Sequence, residues 1–360
     1  MCNYFILRYR YIMNISVSNI AWYQDPKKLK DFFEFISGLD CKGVELAPSA
    51  IWSEPINSSN QDRNNLKKII KANNLTFLGF HSLLYSKPEL RLFESSLLRK
   101  ETKNYLFDLI NLCSDLEGRN LVYGSPNSRE LCGRKYDDCK KQAIEDFYEI
   151  AEYSKKKGIF FCLEPLSAKE TDFITSLEEG GEIVEIVDHS NFKLHLDTKV
   201  LFGSKEKIGL NIKKYKKIIT HVHVGDENLL EPGTINASDH TEIGRNLRSI
   251  NYEGYITLEM RRNLKDIHGS IKRGVEFIKK NYLKKWIAFK LTVEIYNPNF
   301  EKRLSKDSIS AGLHSLWIDS LIGYLLNSLY LLLSNISLEG WYARDTDEPL
   351  KKASGIAVPK

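Results

Sequence analysis

At 360 residues, 42% hydrophobic and 28% charged, the chain carries enough apolar material for a substantial core, and its length fits one large α/β barrel with an appendage or two ordinary domains. Its 52 basic and 47 acidic residues leave a net charge of +5, a near balance that gives no argument for a polyanionic partner. Cys2, Cys41, Cys113, Cys132, Cys139 and Cys162 form no CxxC pair and lack the density of a secreted disulfide framework, which points to reduced thiols in a cytoplasm.

The first twelve residues, MCNYFILRYRYI, are apolar and basic, but Arg8 and Arg10 interrupt them and no small-residue cleavage site follows, so they are not expected to act as a signal peptide. Met13 opens MNISVSNIAW, which already contains a complete first strand; residues 1–12 are therefore expected to be an extension, with Met13 the natural start. From there, short apolar β-branched runs alternate with longer amphipathic, lysine-rich ones. Strands are expected at 15–20, 43–48, 77–83, 120–125, 159–165, 192–197, 219–225 and 255–260. Helical patterns fill 26–37, 62–73, 93–112, 138–157, 174–187, 206–215, 240–248 and 264–281. Lysine clusters such as KKLK, KKIIK and KKYKK fall on these helices as solvated faces. Eight strand–helix pairs within residues 13–283 predict an α/β fold of the (β/α)8 TIM-barrel type, with a doubly wound sheet as the alternative because alternation alone does not show closure. Beyond Leu283 the pattern fails, and residues 284–360 are expected to form a C-terminal extension. Its apolar stretch LWIDSLIGYLLNSLYLLL (316–333) contains Asp319 and Asn327, which favours an amphipathic helix covering the barrel or a second subunit over a membrane anchor.

In a barrel of this kind, chemistry collects at the C-terminal ends of the strands. The expected fifth strand ends in Glu164, the sixth in Asp197, the seventh in His223 and the eighth in Glu259, while the second carries Glu45 and the third His81. Three carboxylates and an imidazole on successive strand ends are costly to bury unless positive charge sits among them. A divalent cation meets that need. Oxygen-rich ligands with one imidazole suit Mn²⁺ or Mg²⁺, with Co²⁺ or Zn²⁺ as alternatives. The competing explanation pairs each carboxylate with a lysine or arginine; the strand segments of Glu164 and Glu259 hold no basic residue, although Lys193 and Arg261 lie near two strand ends. Cys162, two residues before Glu164, is assigned to the core, and His221, one pleat below His223, to the core or to a supporting contact.

The order and spacing of CLEP, HLDT, HVHV and TLEM, with SNIAW, GVELAPSAIW and LVYGSPNSR upstream, resemble the xylose-isomerase-like TIM barrels, specifically the sugar phosphate isomerases/epimerases, over residues 13 to 283. The resemblance implies a metal held by Glu164, Asp197, His223 and Glu259. It also implies that Glu164 and Glu259 are the catalytic pair, flanking the substrate carbon from opposite faces. The implied reaction is proton transfer next to a carbonyl through a cis-enediolate, giving epimerisation or isomerisation of a sugar or sugar phosphate. The loop DENLLEPG after His223 would close over the sugar. Substrate contacts are expected from His81, Trp22, Glu45, Ser125, Asn127, Arg129 and His240, with Trp52 a further residue able to stack on a sugar face.

Two positions depart from the better-known ketose epimerases, which commonly carry a histidine three residues after the strand-six aspartate and an arginine six after the strand-seven histidine. Here those positions are Val200 and Leu229, and Lys199, Glu227, Asn228 or His240 are placed to substitute. Two other functions compete. An apurinic-site endonuclease shares part of the ligand pattern, and SDHTEIG (238–244) is faintly similar to it, but that chemistry wants more strand-end histidines and a basic, aromatic surface for duplex DNA. A barrel that binds a sugar or a metal without turnover is the third.

Overall fold

The structure is a computed structural model and describes residues 13–22, 26–202, 207–262 and 264–283. Both expected extensions, 1–12 and 284–360 with its stretch at 316–333, lie outside the described residues.

Eight strands follow one another: β1 (Asn14–Ser18), β2 (Gly43–Leu46), β3 (Thr76–Phe80), β4 (Asn120–Tyr123), β5 (Phe160–Leu163), β6 (Phe192–Asp197), β7 (Ile219–Val224) and β8 (Tyr255–Leu258). Each pairs in parallel with the next, and β8 pairs with β1 to close the barrel. Closure settles the choice left open by alternation in favour of the TIM barrel. The main helices come where expected, among them Asn60–Ala72, Ser96–Asp115, Tyr136–Lys156 and Ala237–Ser249. Their starts are written locally. Ser59 and Asp62 form a reciprocal capping box, and Ser95, Ser176 and Asp266 each accept a hydrogen bond from a first-turn N–H of the helix that follows. Among the elements not expected is the short helix Thr198–Leu201 directly after β6, capped by Asp197.

The layer between strands and helices is aromatic. Phe161 stacks with Tyr123 and Phe192, with ring centroids 5.4 and 6.2 Å apart, and Phe147 reaches the same cluster from its helix. Inside the barrel the packing is different. TIM barrels ordinarily fill this space with branched aliphatic side chains, whereas here Ser16, Glu45, His195, His221 and Thr257 are all buried. Ser16 and Thr257 share a hydrogen bond of 2.6 Å across the β1–β8 seam.

Two register shifts adjust this polar interior. Opposite β2, residue 78 is extra in β3, because Val44 pairs with Phe77 and Glu45 with Gly79. Opposite β6, residue 220 is extra in β7, because Leu194 pairs with Ile219 and His195 with His221. Such bulges re-aim the side chains beside them, and here they flank Glu45 and His221. Gly79 is needed at the first: its φ is +147°, and a Cβ there would lie 1.8 Å from the carbonyl oxygen of Asn120.

Candidate active site and metal centre

The four strand-end residues converge. Glu164 and Glu259 come one residue after the last paired positions of β5 and β8, Asp197 is the last residue of β6, and His223 is the penultimate residue of β7. Backbone bonds fix the two glutamates on the barrel rim: Glu164 N–H donates to Tyr123 O (3.1 Å) and Glu259 N–H to Val224 O (3.0 Å). Gly124 leaves room for the first of them, since a Cβ there would meet Glu164 Oε2 at 2.3 Å. One ligand atom from each of Glu164, Asp197 and His223 lies within 4.8 Å of the others, and the same holds for His81, His223 and Glu259. His223 belongs to both groups, so the two sets meet at its imidazole.

Glu45 holds that imidazole from below. Its Oε2 lies 2.6 Å from His223 Nε2 and 3.1 Å from His221 Nε2, and its Oε1 has no hydrogen-bond partner. His223 Nδ1 faces Glu259 Oε2 at 3.1 Å. Burial would raise the Glu45 carboxyl, but His221 and His223 outweigh it and hold it well below its usual range. Burial likewise opposes charge on His223, but Glu45 and Glu259 prevail and push its pKa well above the ordinary imidazole value. With Glu45 accepting Nε2–H, Nδ1 is the nitrogen on the Glu259 side, the one that could ligate a metal once it gives up its proton. His81 completes this side: Ser18 Oγ is 2.8 Å from its Nε2, and its Nδ1 is 3.2 Å from Glu259 Oε1.

The opposite side carries a cation. Lys199 Nζ is 2.8 Å from Asp197 Oδ2 and 3.3 Å from Glu164 Oε1. Pairing of strand-end carboxylates with a basic residue therefore occurs, through Lys199 rather than Lys193 or Arg261. The two glutamates are driven apart. Burial raises Glu164, to about 8, and Asp197 and Glu259 add to the rise while Lys199 opposes it. Burial also works to raise Glu259, but His223 and Lys199 outweigh it and leave it well below the usual carboxylate range.

Above the cluster opens a cavity of about 460 Å³. Glu164, Glu259, His81 and Lys199 form part of its wall, and Ile20, Leu84, Leu166 and Leu229 form an apolar part. Of the residues expected to touch substrate, His81, Ser125 and Asn127 line this cavity. The others stand elsewhere. Trp22 is buried against Phe32, Phe35 and His268, its indole N–H donating to Lys28 O at 3.0 Å, because a large apolar ring finds more contact under the first helix than at a wet rim. Glu45 lies beneath the cluster, where the histidines claim it. Arg129 is fully buried, not on the cavity wall. His240 is buried with Tyr282 O–H donating to its Nδ1 and Asp226 Oδ1 3.4 Å from its Nε2. Trp52, half-buried, packs against the core. Cys162 and His221 are buried, as expected.

His195, two residues before Asp197, escaped sequence reasoning. It is fully buried, its ring centroid 4.1 Å from that of His223, and neither ring nitrogen has a hydrogen-bond partner. Burial, with His223 and His221 nearby, drives its pKa well below the usual value, so it stands as a neutral ring. The period-two spacing HLD was the available signal. Tyr85 and Arg262, whose guanidinium sits 4.4 Å from the Tyr85 ring centre, also line the cavity from loops that carry no motif.

The family model for the xylose isomerase-like TIM barrel matches residues 33–281. The chain belongs to that family. D-psicose 3-epimerase of Ruminiclostridium cellulolyticum is 29% identical over 167 residues, 45% of this chain and 56% of that protein. The D-psicose 3-epimerase of Agrobacterium fabrum is 31% identical over 118 residues, 33% of this chain and 40% of that one. The matched segments thus span about half the length of these relatives or less. A crystal structure of D-psicose 3-epimerase with D-tagatose from Clostridium cellulolyticum H10 is similar in fold, with a TM-score of 0.65 at 22% identity, covering 75% of this chain and 99% of that chain.

Proposed function

We propose that the protein is a divalent-metal-dependent epimerase or isomerase of a ketose or ketose phosphate, with Glu164 and Glu259 as its proton-transfer pair. The observation that carries this reading is that the two glutamates, from strands three apart in the ring, line one cavity and share His223 between them, with Asp197 beside Glu164. The donor set fits a metal of the Mn²⁺ class: three carboxylates and one imidazole whose other nitrogen is already held by Glu45. When bound by Glu164, Asp197, His223 and Glu259, the ion would polarise the substrate carbonyl and its neighbouring hydroxyl.

The protein's own residues supply the rest. One glutamate carboxylate takes the proton from the carbon beside the carbonyl, and the other returns a proton, to the opposite face in an epimerase or to the adjacent carbon in an isomerase. His81 orients Glu259 from the cavity wall. Ile20, Leu84, Leu166 and Leu229 keep water from the reacting carbon, and Ser125 and Asn127 are placed to meet sugar hydroxyls. The names of the relatives support a 3-epimerase among these outcomes, and D-psicose, D-fructose and L-ribulose are the first substrates to offer.

The test is solvent deuterium incorporation into those ketoses and their phosphates, followed by NMR with added Mn²⁺ and after chelation. Glu164→Gln and Glu259→Gln should keep the fold and each lose at least about 10²-fold in exchange, the scale of general acid–base catalysis. Exchange at the parent rate in both variants, or in chelated protein shown to be metal-free, would refute the assignment.

A further inference from the structure

We propose that Lys199 is the resident counter-ion of this metal centre, and that a divalent cation enters only by displacing the Lys199 ammonium from Glu164 and Asp197, so that Lys199 sets the affinity for metal. The inference rests on the metal-centre reading above and concerns what this chain adds to it.

The geometry is a competition for the same atoms. Of the three residues whose ligand atoms cluster within 4.8 Å, the ammonium contacts two, at 2.8 Å from Asp197 and 3.3 Å from Glu164. A hard divalent ion binds carboxylate oxygen at roughly 2.0–2.6 Å. Two cations on those oxygens would stand a few ångströms apart in a site that is almost dry, where their repulsion is poorly screened. The lysine side chain is 12% exposed and that of Asp197 1%, so water does little to soften the conflict.

The backbone of the lysine is pinned beside the centre. Asp197 caps the short helix Thr198–Leu201 by accepting the Lys199 backbone N–H at its Oδ1 (3.0 Å), while its Oδ2 faces the Lys199 ammonium. One carboxylate thus grips the residue at both ends. Asp197 Oδ2 meets a single positive charge at 2.8 Å, and a doubly charged ion on the same oxygen can take its place. The displaced side chain has somewhere to go: Lys199 already lines the cavity, with Glu170 on the same wall. Lys199 also balances charge. Glu164, Asp197 and Glu259 are three buried carboxylates; His223 and His81 contact Glu259, and Lys199 contacts the other two. Its presence lets the centre fold before metal arrives, at the expense of affinity afterwards.

Mn²⁺ binding by the full-length, chelator-treated protein tests this, with titration calorimetry and the EPR signal of free Mn²⁺ as readouts. Lys199→Met should bind Mn²⁺ at least tenfold more tightly than the parent, and Lys199→Arg, which keeps the charge, no more tightly. Metal-free Lys199→Met should also melt below the metal-free parent and gain more from Mn²⁺. If it does not fold without metal, Lys199→Met and the parent are purified loaded and compared by their loss of Mn²⁺ to a chelator, where the variant should retain it at higher chelator concentrations. Affinity within twofold of the parent, or weaker, overturns the role of Lys199 while leaving the metal centre standing, provided the parent binds Mn²⁺. Binding by neither protein overturns both.

Discussion

Glu45→Gln isolates the group beneath the centre. Glu45 is fully buried, touches no part of the cavity wall, and meets His223 at 2.6 Å and His221 at 3.1 Å through one oxygen. The glutamine is nearly isosteric, so packing survives, but the charge is gone and one of the two terminal atoms becomes a donor. The bond to His223 is charge-assisted, worth about 1.5–3 kcal/mol. Partners of this kind fix the tautomer and angle of a ligating imidazole, and losing one typically costs about 10–100-fold in metal affinity. At about 1.4 kcal/mol per factor of ten, that range is about 1.4–2.8 kcal/mol, so the two estimates agree. Calorimetric titration with Mn²⁺ should therefore show a Kd raised about 10–100-fold, with an unchanged circular dichroism spectrum. A folded Glu45→Gln protein with parental affinity would mean that Glu45 does not orient the ligand. The expected direction is opposite to that for Lys199→Met, so general loosening of the site cannot produce both results.

Two further predictions concern the frame. Burial holds the pKa of His240 down, to about 4 from an ordinary 6.5, although Asp226 works to raise it. Above pH 6.5 the ring is neutral in both folded and unfolded states; as the pH falls from there towards 4, the unfolded chain takes up a proton that the folded one refuses, and stability is lost. The loss approaches roughly 3 kcal/mol at full development, and urea unfolding across that window should show a slope that His240→Gln reduces; an identical slope in the variant would exclude His240 as its source. Gly79→Ala must place a methyl 1.8 Å from Asn120 O at a φ of +147°, and should destabilise the barrel by more than about 3 kcal/mol, read as a lowered denaturation midpoint or insoluble protein. A parental midpoint would mean that the β3 bulge rearranges freely.

The barrel was legible because its elements are built from local signals that repeat: β-branched runs, serine and aspartate caps, and eight successive alternations. The strand ends were placed one to three residues late at β1 to β5, β7 and β8, and the reason is informative. Glu164, Glu259 and His81 have strand-like neighbours, yet they lie just past the last ladder positions. That places their side chains over the mouth of the barrel instead of in its wall. The pattern therefore showed which residues converge, but not that they stand on the rim. The short helix after β6 was missed for a related reason. DTKVL is too short to carry a helical period, and only Asp197 as its cap marks where it begins.

What sequence could not show is which side chains a loop turns inward. Trp22 and Arg129 were both assigned to the rim from their positions after strands, and both are buried instead. Ser125 and Asn127, from the same loop as Arg129, do face the cavity. Strand position alone does not separate these outcomes, because they depend on which neighbouring elements offer apolar contact. Lys199 is the most instructive case. In sequence it is a lysine two residues after Asp197, outside the strand segments where a basic partner would be expected. The turn into the short helix brings its ammonium back over Asp197 and across to Glu164. Charge balance at the centre is thus decided by a residue that no strand pattern marks. A cation that answers two of the three buried carboxylates is thus written into the chain itself, and on the proposal above the affinity for a metal would follow from how firmly that lysine is held.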